Sequence, residues 1–78
     1  MKACILIKTD PGKHKAVARS INKIEGVRMA FSVLGRTDVV ASVEVTTLKK
    51  LSVLALKVGE AQNVTATETL VGLEGVGE

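Results

Sequence analysis

The octapeptide VLGRTDVV at residues 33–40 lies near the middle of the chain and decides the fold. Two apolar runs, rich in β-branched residues, meet there at a short turn that contains glycine and aspartate. Such a pattern predicts a β-hairpin. We place its two strands at residues 27–34 and 39–46, joined by the turn Gly35-Arg36-Thr37-Asp38.

Outward from the hairpin, each arm is flanked by one segment with helical periodicity and then by one further strand. The first strand is predicted at residues 3–9. The first helix is predicted from Pro11 to about Ile24, with Asp10 as its N-terminal cap and Gly26 as the residue that ends it. The second helix follows a capping residue at Thr46 or Thr47.

After a connector at residues 59–63, where Asn63 tolerates a positive φ, the last strand is predicted at residues 64–73. The element order is therefore βαββαβ. With right-handed crossovers this order places both helices on one face of a four-stranded antiparallel sheet. The sequence thus predicts an α+β protein with the ferredoxin-like arrangement.

The apolar residues are too numerous for a sheet with one solvated face. The first strand is apolar on both faces, with Cys4 and Leu6 opposite its isoleucines, and the second strand adds Ala30 and Leu34 to its row of Val27, Met29, Phe31 and Val33. A second apolar face is typical of an interface. We therefore expect sheet-to-sheet dimerisation, as in a dimeric α/β barrel.

Composition limits the other possibilities. The chain has 78 residues, 46% of them hydrophobic, and Phe31 is its only aromatic residue, so we expect one domain with an aliphatic core. One cysteine and one histidine exclude an internal disulfide and a zinc site made by this chain alone. No apolar run could span a membrane, and a cytoplasmic location follows as the expectation.

The remaining polar residues give only weak functional signals. Cys4 is predicted to be buried, and His14 is predicted to be an exposed helix residue. The net charge of +3 is attributed to lysines on solvated helix faces rather than to a nucleic-acid site, because no stacking aromatic accompanies them. No phosphate-binding glycine motif is present.

The turn at Gly35–Asp38 contains more polar chemistry than a hairpin needs. Gly35 permits close approach to its backbone N–H, Arg36 and Thr37 offer further donors, and Asp38 offers a carboxylate. Donors beside one carboxylate match the two charges of a free amino acid. A plain turn without a ligand remains the alternative interpretation of these residues.

The whole pattern resembles the C-terminal effector-binding domain, or RAM domain, of the Lrp/AsnC (feast/famine) transcription regulators. The resemblance covers residues 3–73. It is carried by four segments: Ile7–Lys13, Ile24–Val27, Leu34–Val40 with its Gly-x-x-Asp turn, and Val64–Val71 with its Thr-x-Thr. It implies a ferredoxin-like RAM-like domain at residues 1–73. Gly72, Gly75 and Gly77 predict a flexible tail at 74–78.

The resemblance also implies a function. Family domains dimerise through their sheets, assemble into tetramers, octamers or larger oligomers, and bind amino acids or related small effectors between dimers. It implies no catalytic residue, no metal and no cofactor. The effector-binding residues that it implies are Gly35, Arg36, Thr37, Asp38, Thr67 and Thr69.

Two departures from the family pattern refine these expectations. The chain starts at the first strand, without a helix-turn-helix, so it resembles the stand-alone RAM proteins. We expect no direct binding to DNA or membrane, and full-length Lrp/AsnC regulators are a further class of partner. Thr37 stands where many relatives have an aromatic residue, so the ligand preference of relatives does not carry over.

Three alternatives stay open. One is a small dimeric ferredoxin-like enzyme, although this chain offers few residues for such a site. Another is an ACT-like amino-acid-binding module, which would use the loop Thr9–Gly12. The third is a structural oligomerisation domain without a ligand.

Overall fold

Six elements form the structure, a computed structural model that describes residues 1–73. They are β1 (Lys2–Thr9), α1 (His14–Asn22), β2 (Val27–Ser32), β3 (Val39–Glu44), α2 (Leu48–Gly59) and β4 (Val64–Val71). The strands pair antiparallel in the order β2-β3-β1-β4. This confirms the predicted βαββαβ order and ferredoxin-like class, while the predicted tail at 74–78 lies outside the described residues.

The core lies between the sheet and the two helices and is aliphatic, as the composition indicated. β1 contributes Ile5 and Ile7, and α1 contributes Val17 and Ile21, all essentially inaccessible to solvent. α2 adds Leu51, Leu54 and Val58 at helical spacing. Burying each such side chain contributes about 1.5–3 kcal/mol. Within residues 1–73 no polar or charged residue is buried.

The faces of β2 differ from the simple alternation of the sequence. Val27 pairs with Val43, but the next pairing joins Met29 to Ser42, so the ladder shifts by one residue at Arg28. Such a bulge places an extra residue in one strand. Ala30 therefore faces the helices at 6% exposure, whereas Met29 and Phe31 are 58% and 45% exposed on the opposite face. The grouping of Met29 and Phe31 with Val27 was wrong for this reason.

The face of the sheet away from the helices, here called the open face, is largely apolar. Cys4 lies on it and is exposed, so the predicted burial of Cys4 was wrong. Leu6 and its partner Val40 lie on the same face, since directly paired residues share a side of the sheet. Two helices cover only one face, which leaves these residues without a covering layer in the single chain.

The first helix is shorter than the sequence predicted. α1 begins at His14, and Lys13 at its N-cap makes no capping hydrogen bond through its side chain. Asp10 does not cap this helix. Its backbone N–H donates to the Asn63 carbonyl (2.9 Å), and its own carbonyl accepts from Lys13 N–H (3.1 Å). Residues 10–13 therefore form a turn before the helix.

Among the other residues predicted to begin or end a helix or strand, two have the predicted role and one does not. Of the two predicted caps, Thr46 and Thr47, it is Thr47 that caps α2, and its hydroxyl accepts a hydrogen bond of 3.1 Å from Lys50 N–H. Asn63 has the expected positive φ of 69°. Gly26 has φ +99° but lies four residues beyond the end of α1, where it turns the chain into β2.

The side chain of Asn22 in α1 bonds the backbone of the edge strand β2. The amide of Asn22 donates to the carbonyl of Ala30 (2.7 Å) and accepts from its N–H (2.9 Å). The two bonds reproduce those that a neighbouring strand would make. They fix the end of α1 against the centre of β2.

Candidate functional site

The hairpin loop is longer than the predicted four-residue turn, because β2 already ends at Ser32. Residues 33–38 connect β2 to β3. Val33 N–H donates to the Asp38 carbonyl (3.0 Å), and Asp38 N–H donates to the carbonyl of Ile7 in β1 (2.9 Å). Gly35 has φ +152°, and an added Cβ there would meet no atom within 4 Å. The loop is thus fixed at its base while Gly35 projects into open space.

The carboxylate of Asp38 connects this loop to the end of β1. Its Oδ2 accepts hydrogen bonds from Thr9 N–H (2.8 Å) and from the Thr9 hydroxyl (3.4 Å). Asp38 is half-buried. Hydrogen bonds to a charged acceptor are stronger than neutral ones. The structure therefore shows Asp38 as a residue that positions the loop.

A groove of about 670 Å³ lies on the open face beside the hairpin loop. Its size is typical of small-molecule sites, which span about 300–1,000 Å³. It combines an apolar surface with three charged side chains. The lining residues are Leu6, Lys8, Val33, Leu34, Gly35, Arg36, Thr37, Val40, Ala66, Thr67 and Glu68.

Four of the six predicted site residues therefore meet at one groove: Gly35, Arg36, Thr37 and Thr67. Thr67 pairs with Ile7, and its Oγ1 lies 4.0 Å from the position of a Cβ at Gly59 in α2. The hydroxyl of Thr67 is thus on the helix side of the strand, although the residue lines the groove. Thr69 pairs with Ile5 and lies outside the groove.

Asp38, the remaining predicted residue, lines a different cleft of about 340 Å³ together with His14, Ser32, Val33 and Leu34. Nδ1 of His14 lies 2.9 Å from the hydroxyl of Ser32, so the two side chains form a hydrogen bond between α1 and β2. His14 is half-buried rather than the exposed helix residue that the sequence predicted. The loop therefore has one side toward the groove and one toward this cleft.

Lys8 and Glu68 are groove residues that the sequence did not single out. Glu68 pairs with Leu6, and Lys8 pairs with Ala66, so both lie on the open face of adjacent strands. Among residues 1–73 the only ion pair is Arg28–Glu44 at 3.0 Å, which means that Lys8, Arg36 and Glu68 are not paired with one another. The one sequence feature that could have identified Glu68 as a site residue is its charge, since it lies between two threonines in a predicted strand.

A second groove, of about 590 Å³, lies at the opposite end of the open face and includes Lys2, Cys4 and Leu70. Its Arg28 and Glu44 side chains bind each other. This contact leaves less charge for a ligand than the groove at the hairpin loop offers.

Other kinds of site receive no support from the described part of the chain. No group of three or more His, Cys, Asp and Glu residues within residues 1–73 is arranged to hold a metal ion. In the same range, neither helix is long and apolar enough to cross a membrane.

Comparison with known proteins places this geometry in context. The family model described as the Lrp/AsnC ligand binding domain matches residues 2–78. A crystal structure from Thermus thermophilus is similar at a TM-score of 0.87 and 26% identity, covering 92% of this chain and 91% of that one. A hypothetical protein from Pyrococcus horikoshii is similar at a TM-score of 0.83 and 30% identity, covering 95% and 92%.

The fold also matches that of AsnC from E. coli, with a TM-score of 0.84 at 19% identity. That alignment covers 96% of this chain but 52% of the AsnC chain, so this chain spans about half of that protein. A comparison with curated proteins gave no match.

Proposed function

This chain belongs to the family of Lrp/AsnC ligand-binding domains, and from that premise we propose that it is an amino-acid-binding and oligomerisation module of the Lrp/AsnC type. The family comprises regulatory ligand-binding domains. The proposal assigns to this chain an effector site beside the hairpin loop and no catalytic role. It also includes a cytoplasmic location and the modulation of full-length regulators through shared oligomers.

The observation that carries the binding proposal is the groove beside the hairpin loop. Gly35, Arg36 and Thr37 line it together with an apolar wall, and their residue types offer a backbone N–H, a guanidinium and a hydroxyl. A few convergent polar groups in an apolar concavity are the usual composition of a ligand site. The family match supports the same conclusion independently, because its model describes a ligand-binding domain.

The oligomerisation proposal rests on the open face. Met29 and Phe31 in β2 and Leu70 in β4 are about half exposed there, although all three are large and apolar. Contiguous apolar surface on a small protein marks an interaction site. A second copy of this chain, packed sheet to sheet, would cover these residues and would give a dimer able to form tetramers, octamers or larger assemblies.

Binding between subunits would link the ligand to assembly. A ligand shifts the distribution among oligomers only by its different affinity for each state. An effector beside the hairpin loop, at the rim of the open face, lies where a second subunit could contact it. The proposed regulatory output is therefore a ligand-dependent change in oligomer size.

The test is calorimetric titration with each of the twenty amino acids, using the unmodified chain and Arg36→Ala. We expect heat of binding for at least one amino acid and a clear loss of affinity in Arg36→Ala. Arg19→Ala is the matched control, because Arg19 is an exposed arginine on α1, away from the groove. Absence of heat for all twenty, or equal affinity in Arg36→Ala, would contradict the proposal.

A further inference from the structure

We infer that Glu68, rather than Asp38, binds the ammonium group of the ligand, while Lys8 and Arg36 bind its carboxylate. The ligand class is an α-amino acid with an aliphatic side chain. The inference rests on the proposed function, because it assigns roles within the same effector site. It replaces the sequence-based idea that both charged ends of the ligand are held by the turn alone.

Asp38 is poorly placed for an ammonium group in the groove. Its Oδ2 already accepts two hydrogen bonds from Thr9, and its side chain lines the cleft next to His14 instead. A ligand ammonium at Asp38 would compete with the contact between the hairpin loop and β1. Glu68 has no such partner among residues 1–73, and it lines the groove.

The strand register brings the required charges to one side of the sheet. Glu68 lies opposite Leu6, and Lys8 is two residues farther along β1, so the two are diagonal neighbours. Diagonal positions on adjacent strands are about 7–8 Å apart, within the reach of long side chains. Glu68 and Lys8 nevertheless form no ion pair with each other. An amino acid between them would give each charge an opposite partner.

The second cation, Arg36, fixes the orientation of the ligand in the groove. Arg36 extends from the hairpin loop, which forms the other wall of the same groove. A guanidinium binds a carboxylate through two parallel hydrogen bonds, which fixes orientation as well as adding affinity. With two cations and one carboxylate around it, the ligand carboxylate is placed toward Lys8 and Arg36, and its ammonium toward Glu68.

The remaining lining selects the side chain of the ligand. Leu6 and Val40 form the sheet surface of the groove, and Val33 and Leu34 come from the hairpin loop. These four side chains offer apolar contacts and no hydrogen-bonding group. A polar side chain of the ligand would lose water without gaining a partner, which is unfavourable. Aliphatic amino acids are therefore preferred.

The experiment compares L-leucine with its α-keto acid, which keeps the carboxylate and side chain but lacks the ammonium group. Titrations use the unmodified chain and Glu68→Gln. We expect the unmodified chain to prefer leucine, and Glu68→Gln to bind leucine about tenfold more weakly or worse, because a charged hydrogen bond is lost. The affinity for the keto acid should fall little or even rise, so that the preference disappears.

Two control variants test whether the loss of preference is specific to Glu68. Glu44→Gln removes a carboxylate from the same face, but at the far groove, and should keep the preference for leucine. Asp38→Asn should keep that preference as well, when measured well below its unfolding temperature. Circular dichroism of each variant establishes that it is folded.

The outcomes also distinguish the inference from the proposed function. If the unmodified chain binds leucine, Glu68→Gln keeps full preference for it and Asp38→Asn loses it, then the ammonium partner is Asp38 and only the inference falls. If aliphatic amino acids do not bind but polar ones do, the assigned ligand class is wrong. If none of the twenty amino acids binds, the proposed function itself falls.

Discussion

The backbone N–H of Thr9 donates a hydrogen bond of 2.8 Å to Oδ2 of Asp38, across 29 positions of the chain. This contact holds the hairpin loop against the end of β1. We predict that Asp38→Ala lowers the free energy of unfolding by about 1–2 kcal/mol, because the Thr9 N–H loses a charged acceptor. Urea unfolding followed by far-UV circular dichroism measures the effect.

Thr9→Val is the matched variant for this prediction. It removes only the hydroxyl, which lies 3.1 Å from the Asp10 carbonyl oxygen and 3.4 Å from Oδ2 of Asp38, and keeps the stronger backbone hydrogen bond. We expect a smaller loss of stability than in Asp38→Ala. Equal losses in the two variants would show that the backbone contact contributes little.

The open face should determine the oligomeric state. A charged side chain in a packed apolar interface is costly to desolvate, so we predict that Phe31→Lys shifts the protein toward a particle of 8.2 kDa. Sedimentation velocity at micromolar concentration measures this shift. Leu48→Lys is the control, because Leu48 is also exposed but lies on α2, away from the open face. A monomeric unmodified chain would refute the sheet-to-sheet dimer.

Gly26 should not tolerate a side chain. It has φ +99°, and an added Cβ would lie 3.1 Å from Cδ2 of the buried Leu54. Gly26→Ala therefore combines backbone strain with crowding, and we expect a loss of about 1–3 kcal/mol in the free energy of unfolding. Thermal unfolding followed by circular dichroism gives the measurement.

The comparison for Gly26 is Gly59→Ala. A Cβ at Gly59 would meet only the Thr67 hydroxyl, at an ordinary distance of 4.0 Å. Because Gly59 closes α2, alanine there should leave stability unchanged or raise it slightly. A large loss of stability in both variants would show that the effect at Gly26 does not come from its positive φ and its contact with Leu54.

Asn22 should protect the outer edge of β2. Its side chain is hydrogen-bonded to both the N–H and the carbonyl of Ala30. We predict that Asn22→Ala speeds hydrogen exchange at the Ala30 amide and lowers stability by about 1–2 kcal/mol. Exchange measured by NMR reports on that amide directly. Ser20→Ala, also exposed on α1, is the control and should change neither quantity.

Much of the fold could be predicted because it depends on local patterns. The continuous apolar run of β1, the alternating pattern of β3, the capping Thr47 and the periodic leucines of α2 are each local sequence features that predict their element. The faces of β2 could not be predicted in the same way. Its bulge at Arg28 depends on the pairing with β3, and one inserted residue exchanges the two faces.

For the candidate site too, residues close together in the sequence could be predicted, whereas residues brought together by strand pairing could not. The polar composition of Gly35–Asp38 located the hairpin loop, although not its start at residue 33, because the signal is contained in four successive residues. The neighbours of that loop were not predictable from it. Glu68 and Lys8 meet the loop only through the pairing of β4 with β1, and Asp38 faces Thr9 only because β1 lies beside β3.

The contact between Asn22 and Ala30 has a consequence for how the sheet can grow. It occupies the outward backbone groups at the centre of β2, so a further strand could pair there only by displacing Asn22. At the other edge, no side chain of residues 1–73 bonds the outward backbone of the eight-residue β4. Edge strands with free backbone groups are templates for added strands. If two chains joined through their β4 edges, the Ala30 backbone groups on both outer edges of that pair would already be occupied, which disfavours further growth strand by strand.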